Sequence, residues 1–132
     1  MVFNYLFSNG DAHLKNFSLI QDEKSGSRVL APAYDILNTG IHVPGESDMA
    51  LELFRDDYMT EPFRAGSKHT KEDFIVFASR CGISEKRAIQ LYGKFLMSQE
   101  SVVSLVNRSF LSEKVKSLYL DTYLQRLERL KS

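Results

Sequence analysis

Asn9-Gly10-Asp11-Ala12-His13-Leu14-Lys15-Asn16-Phe17-Ser18 is the stretch from which the 132-residue chain is best read. Before it, Val2, Phe3, Leu6 and Phe7 fall three to four residues apart, the spacing of one buried helix face, so residues 1–8 read as the end of a helix. Ser8-Asn9-Gly10 stops that helix, with Asn9 or Gly10 suited to positive φ. After it, Phe17 to Ile20 reads as a short strand. Polar Asp22 to Ser27, with Gly26, reads as a hairpin turn, and Arg28 to Ala31 as the return strand. Pro32 ends the pairing because it has no N–H to donate. The central stretch is therefore a loop held between a helix end and a hairpin.

Asp11 and Asn16 are five residues apart in that loop, a D-x-x-x-x-N spacing. Phosphoryl transfer to a hydroxyl needs both groups in one small volume. The carboxylate orients the attacking hydroxyl and accepts its proton, while the amide oxygen faces a magnesium ion on the nucleotide phosphates. Lys15 can place an ammonium near the transferring group and stabilise its charge. A second oxygen ligand is needed, since magnesium is a hard cation. Asp35, 19 residues beyond Asn16 and preceded by Tyr34, follows directly on the hairpin. Taken singly, Asn-Gly-Asp is also ordinary turn chemistry and Asp35 a plain loop acid. The order base, amide, hairpin, carboxylate is what favours the catalytic reading.

The longer pattern Asn9-Gly10-Asp11-x-His13-x-Lys15-Asn16-Phe17-Ser18, then a hairpin and Pro32-x-Tyr34-Asp35, resembles the HipA family of serine/threonine kinase toxins. The likeness continues more weakly through Ile41-His42 and Met49-Ala50-Leu51 into the C-terminal half. It implies a mainly α fold: a kinase-like C-lobe with a catalytic loop, a small β-hairpin and a C-terminal helical bundle. It implies ATP and magnesium as cofactors, a protein serine hydroxyl as acceptor, and a toxin–antitoxin system with a small helix-turn-helix DNA-binding partner. Carried over by position, Asp11 is the catalytic base with Lys15 beside it, and Asn16 and Asp35 are the metal ligands. His13 either orients the loop or approaches the nucleotide. Such kinases also have an N-terminal lobe that grips the phosphates, and no Gly-rich strand–loop–strand unit occurs in these 132 residues. The expectation is a fragment, half of a split kinase or a relic, with little activity by itself because positioning is most of this catalysis.

The rest of the chain is expected to form one domain. Residues 36–69 hold three Gly and two Pro and are expected to be a long loop packed over the site, with Met49 to Phe54 as a short strand candidate. Thr70 is a helix N-cap candidate, followed by Glu72 and Asp73; Phe74, Phe77, Ala78 and Cys81 keep helical spacing, and Gly82 ends the element. Ser84 opens a second helix through Ala88, Leu91, Tyr92, Phe95 and Leu96, with Val102, Val103 and Val106 continuing or restarting it. Ser112 opens a third, carried by Val115, Leu118, Tyr119, Tyr123, Leu127 and Leu130.

Seventeen basic and seventeen acidic side chains cancel, so no global field steers the chain to nucleic acid or to an anionic membrane. No apolar run approaches the ~20 residues that cross a bilayer. The apolar N-terminus lacks a basic leader and is a poor signal peptide, and a single cysteine, Cys81, suits a reducing cytoplasm. His13, His42, His69 and Cys81 are spaced 29, 27 and 12 residues apart, without the paired elements of a zinc site. His42 and His69 read as loop residues, Cys81 as a buried helix-end thiol, and Arg126, Arg129 and Lys131 as complements to a helix dipole. Two other functions compete with the kinase: a non-catalytic module docking a DNA-binding antitoxin or other partner through the helical tail, and a metal phosphohydrolase on Asp11, His13 and Asp35, which lacks further ligands.

Overall fold

The computed structural model describes all residues, Met1 to Ser132. The chain is mainly helical with one small hairpin. Helix α1, Val2–Leu6, leads through the turn Ser8–Gly10 to the motif loop, where Leu14–Asn16 form a single 3-10 turn. Strands β1, Leu19–Gln21, and β2, Arg28–Leu30, pair antiparallel with Leu19 opposite Leu30 and Gln21 opposite Arg28. Both strands are shorter than their sequence suggests, β1 starting two residues later than Phe17. Asp22 organises the turn: its carboxylate accepts from the Ser25 N–H at 3.0 Å, and Gly26 takes φ +68°.

No strand forms at Met49 to Phe54. Met49 and Leu53 instead turn their side chains into the core from an irregular segment. Residues 36–69 are also not wholly irregular, for helix α2 spans Glu61–Gly66. Thr60 caps it, accepting from the Phe63 N–H at 3.2 Å, and Pro62 sits in the first turn, where a missing N–H costs nothing. Helix α3, Lys71–Arg80, begins as expected at Thr70, whose N–H donates to the Asp73 carboxylate at 2.7 Å. Asp73 is 1% exposed and also accepts from the Thr60 hydroxyl at 2.6 Å. That one buried carboxylate ties the start of α2 to the start of α3, and its hydrogen bonds offset its desolvation.

The second helix of the sequence reading is two helices, α4 at Glu85–Leu96 and α5 at Gln99–Asn107, and α6 spans Glu113–Lys131. Ser84 and Ser112 stand at the N-cap positions, but their hydroxyls make no cap bond. Helix α6 is the hub, packed against α1, α3, α4 and α5. Tyr5 and Leu6 of α1, Phe74, Tyr92, Val102, Val106, Tyr123, Leu127 and Leu130 make the core with Met49 and Leu53. The Tyr92 hydroxyl, buried by the same packing, donates to the Leu130 carbonyl at 2.6 Å.

Leu118, read into the apolar stripe of α6, is exposed, and Cys81, His69 and Arg126 also differ from their sequence reading. Cys81 is exposed at the C-terminal end of α3, beside Gly82 at φ +76°. His69 is not a free loop residue; its ring stacks on Phe63 at 4.7 Å and meets Tyr5 and Phe74. Arg126 is 7% exposed, and it does more than complement a dipole. It donates to the carbonyl of Tyr5 and, at 2.9 Å, to the carboxylate of Asp48, with its guanidinium 5.0 Å from the Tyr5 ring centre. It thereby joins α1 and the 46–54 segment to α6. No helix is long and apolar enough to cross a membrane.

Candidate active site

The motif loop leaves α1 through Ser8, which takes φ 55°. The positive φ falls there, and not at Asn9 or Gly10 as the residue types suggest. Ser8 and Asn9 are almost wholly buried, at 4% and 3% exposure, so the start of the loop is fixed from behind. The Asn9 N–H donates to the Asn4 carbonyl at 2.8 Å, and its side-chain amide to the Asp35 carbonyl at 3.2 Å. The loop is therefore anchored on the helix before it and on the segment that follows the hairpin.

Asn16 makes the central connection. Its side-chain nitrogen donates to the Asp11 carbonyl and to Asp35 Oδ2, both at 3.0 Å. Asp11, Asn16 and Asp35 are thus brought together across the hairpin. The five-residue spacing is closed by this bond and by the His13 N–H donating to the Asp11 carbonyl at 2.7 Å. The Asp11 side chain is open to solvent, with His13 Nε2 3.8 Å from its Oδ1. His13 Nδ1 is buried without a partner, so the imidazole is set into the protein on one side and faces Asp11 on the other. Lys15 is exposed one position before Asn16.

Tyr34 holds the two halves in register. Its hydroxyl donates to the Lys15 carbonyl at 2.9 Å and lies 2.5 Å from the Ser18 hydroxyl. Asp35 then turns at φ 52°, a conformation that Asp tolerates better than most residues. Backbone in this region at a site is held by its surroundings. Here those surroundings are Asn9 on the Asp35 carbonyl and Asn16 on its carboxylate.

The residues suit a hard cation. With the Asn16 nitrogen committed to two acceptors, its amide oxygen is left over as a ligand, and one Asp35 oxygen is engaged while the other is not. A carboxylate and an amide oxygen, completed by phosphate oxygens and water, are the donor set that magnesium takes. No three of His, Cys, Asp and Glu gather within reach of one metal ion. Asn16 and Asp35 line a cavity of about 270 Å³ with Phe3, Phe17, Leu30 and Ile36. A larger cavity, about 630 Å³, lies elsewhere, lined by Asp48, Met49, Phe54, Phe63 and His69, and contains none of the motif residues. The donor set, not cavity size, marks the motif cavity as the candidate site.

The sequence reading missed the residues behind the loop. Thr39 and Glu46, from the segment read only as irregular, reach Ser8 and Gly10. No local pattern marks them, since Gly10 and Ser8, which they reach, are 29 or more residues away.

The family of HipA-like C-terminal domains matches residues 1–103. A protein of Sinorhizobium fredii named "Putative kinase Y4dM" is 36% identical over 89 residues, 67% of this chain and 20% of its own length. One of Haemophilus influenzae named "Putative kinase" is 27% identical over 135 residues, 96% of this chain and 39% of its own length. The chain thus spans less than half the length of either relative.

Proposed function

The chain belongs to the family of HipA-like C-terminal domains, and from that premise we propose that it carries the phosphoryl-transfer residues of a serine/threonine protein kinase. The observation that carries the reading is the Asn16 side chain, which binds the Asp11 carbonyl and the Asp35 carboxylate at once. The kinase names of both relatives support it.

The reaction follows from the groups present. A serine Oγ attacks the γ-phosphorus of ATP, the bond from that phosphorus to the β–γ bridging oxygen breaks, and ADP leaves. The Asp11 carboxylate orients the hydroxyl and takes its proton, and its open position suits a macromolecular acceptor. His13 Nε2 stands 3.8 Å from that carboxylate, beyond hydrogen-bond distance. Lys15 offers its ammonium to the charge on the transferring group. Asn16 and Asp35 would hold magnesium, which neutralises phosphate charge when bound. The kinase-like C-lobe arrangement, the serine acceptor and a toxin–antitoxin context with a helix-turn-helix partner are parts of the same proposal and rest on the family resemblance.

Assays of magnesium-dependent ATP turnover test the reading. These 132 residues alone should turn ATP over poorly, and adding a nucleotide-gripping lobe should raise turnover. Robust turnover by the 132 residues alone would contradict the need for that lobe. Manganese binding that requires nucleotide and is lost in Asp35→Ala favours the enzyme; capture of a DNA-binding partner with no nucleotide effect favours a docking module.

A further inference from the structure

Thr39 lies 29 residues beyond Gly10, yet its hydroxyl accepts the Gly10 N–H at 2.8 Å. The same hydroxyl is 3.1 Å from the Ser8 carbonyl and 2.5 Å from Glu46 Oε2. A hydroxyl has one proton to donate, and the shorter contact to a carboxylate assigns it to Glu46. The Ser8 carbonyl is served instead by the N–H groups of Thr39 at 2.9 Å and Gly40 at 3.3 Å. Ser8 at φ 55° is held in place by these bonds.

Glu46 closes the other side. Its carboxyl lies over Gly10, where an added Cβ would stand 2.3 Å from Glu46 Cδ. Gly10 does not take a positive φ, so the contact with Glu46, not backbone freedom, is what a side chain there would violate. Because Thr39 pins the carboxyl, moving it aside costs that hydrogen bond. Beyond Gly10, the Asp11 carbonyl is fixed by the His13 N–H and the Asn16 amide. The peptide that carries Asp11 is therefore gripped at both ends, by the motif itself on one side and by Thr39 with Glu46 on the other.

We propose that Thr39 and Glu46 are positioning residues for Asp11, acting through the Gly10 backbone; this rests on the phosphoryl-transfer reading. Asn16 and Asp35 are tied to each other, and the Tyr34 hydroxyl ties the residue before Asp35 to the Lys15 carbonyl, away from Gly10. Loss of the Thr39–Glu46 pair should consequently displace the base and spare the nucleotide–metal end.

The experiment compares variants in a polypeptide carrying these residues with a nucleotide-gripping lobe. Thr39→Val keeps the side-chain shape and removes the hydroxyl. Its kcat should fall about tenfold or more, since a small displacement of a reacting group costs that much. Its KM for magnesium–ATP should stay within about twofold. Thr39→Ser, which keeps the hydroxyl, should restore kcat. Glu46→Ala should slow the enzyme and Glu46→Gln much less, because the amide oxygen accepts the same bond. Gly10→Ala should also slow it, and combining Gly10→Ala with Glu46→Ala should be no slower than Glu46→Ala alone. Parental kcat in Thr39→Val, or a Thr39→Ser variant as slow as Thr39→Val, overturns the proposal.

A second readout needs no turnover. Hydrogen exchange at the Gly10 amide should quicken in Thr39→Val and not in Thr39→Ser; equal exchange in all three proteins overturns the brace itself. If the parent shows no transfer while Gly10 exchange still answers to Thr39, the phosphoryl-transfer reading has failed and the positioning role falls with it.

Discussion

Asn16 and Asp35, 19 residues apart, are joined by a hydrogen bond of 3.0 Å from the Asn16 amide to Asp35 Oδ2. The bond leaves each side chain one oxygen for a cation. Asp35→Ala removes the only charged member of that pair. Manganese titrated in the presence of nucleotide should bind at least about tenfold more weakly to the variant. Unchanged affinity would remove Asp35 from the metal site.

Tyr34 supports both members. Its hydroxyl joins the Lys15 carbonyl and Ser18 to the residue before Asp35. Tyr34→Phe should lose about 1 kcal/mol of stability, the ordinary net value of such a bond. Its larger effect should be weaker manganese–nucleotide binding. A variant that melts slightly earlier but binds as well as the parent would make Tyr34 a structural residue alone.

Arg126 should matter to stability. Its guanidinium is buried, bridging the Tyr5 carbonyl and Asp48. Arg126→Met takes the closest partner from the Asp48 carboxylate and one of two from the carbonyl, which keeps the Ser8 N–H at 3.2 Å. Urea melts should show a loss of about 3 kcal/mol, softened because Asp48 keeps Lys68 at 3.2 Å. A loss no larger than that of an exposed surface pair would show that the bridge is not formed in solution.

His69 should give the fold an acid-sensitive component. Burial pushes its imidazole below the ordinary value of 6.5, against the opposing pull of Asp73 and Asp48. The folded chain then binds fewer protons at this group than the unfolded chain does. Its contribution is complete above that ordinary value and is lost as pH falls from there through the lowered folded value. His69→Phe keeps a ring to stack on Phe63 and removes the titration. Urea midpoints between about pH 7.5 and about pH 5.5 should therefore shift less in the variant than in the parent. Equal shifts would place the acid sensitivity elsewhere.

What the sequence conveys, and what it withholds, divides along range. Capping by Thr70 with Asp73 and the turn at Gly26 are local signals found where the sequence puts them; of the apolar stripe of α6, Tyr123, Leu127 and Leu130 are buried while Leu118 is exposed. The motif residues are legible for the same reason: Asp11 and Asn16 lie in one loop, and Asp35 follows one hairpin. Helix α2 was hidden because Pro62 and Gly66 read as loop residues, although Pro in a first turn and Gly near a helix end are compatible with a six-residue helix. Thr39, Glu46 and Arg126 were hidden because their roles exist only after folding. Arg126 did carry a signal: it shares the helical spacing of Tyr123, Leu127 and Leu130, where a charge must find a buried partner.

The central claim is that Asp11 serves as the base of a phosphoryl-transfer site built with Asn16 and Asp35. The most direct measurement is magnesium-dependent transfer of the ATP γ-phosphoryl to a protein serine. It compares parent and Asp11→Ala in a polypeptide that carries these residues together with a nucleotide-gripping lobe. Transfer should be abolished in the variant while manganese–nucleotide binding persists. Unchanged transfer in Asp11→Ala would contradict the claim.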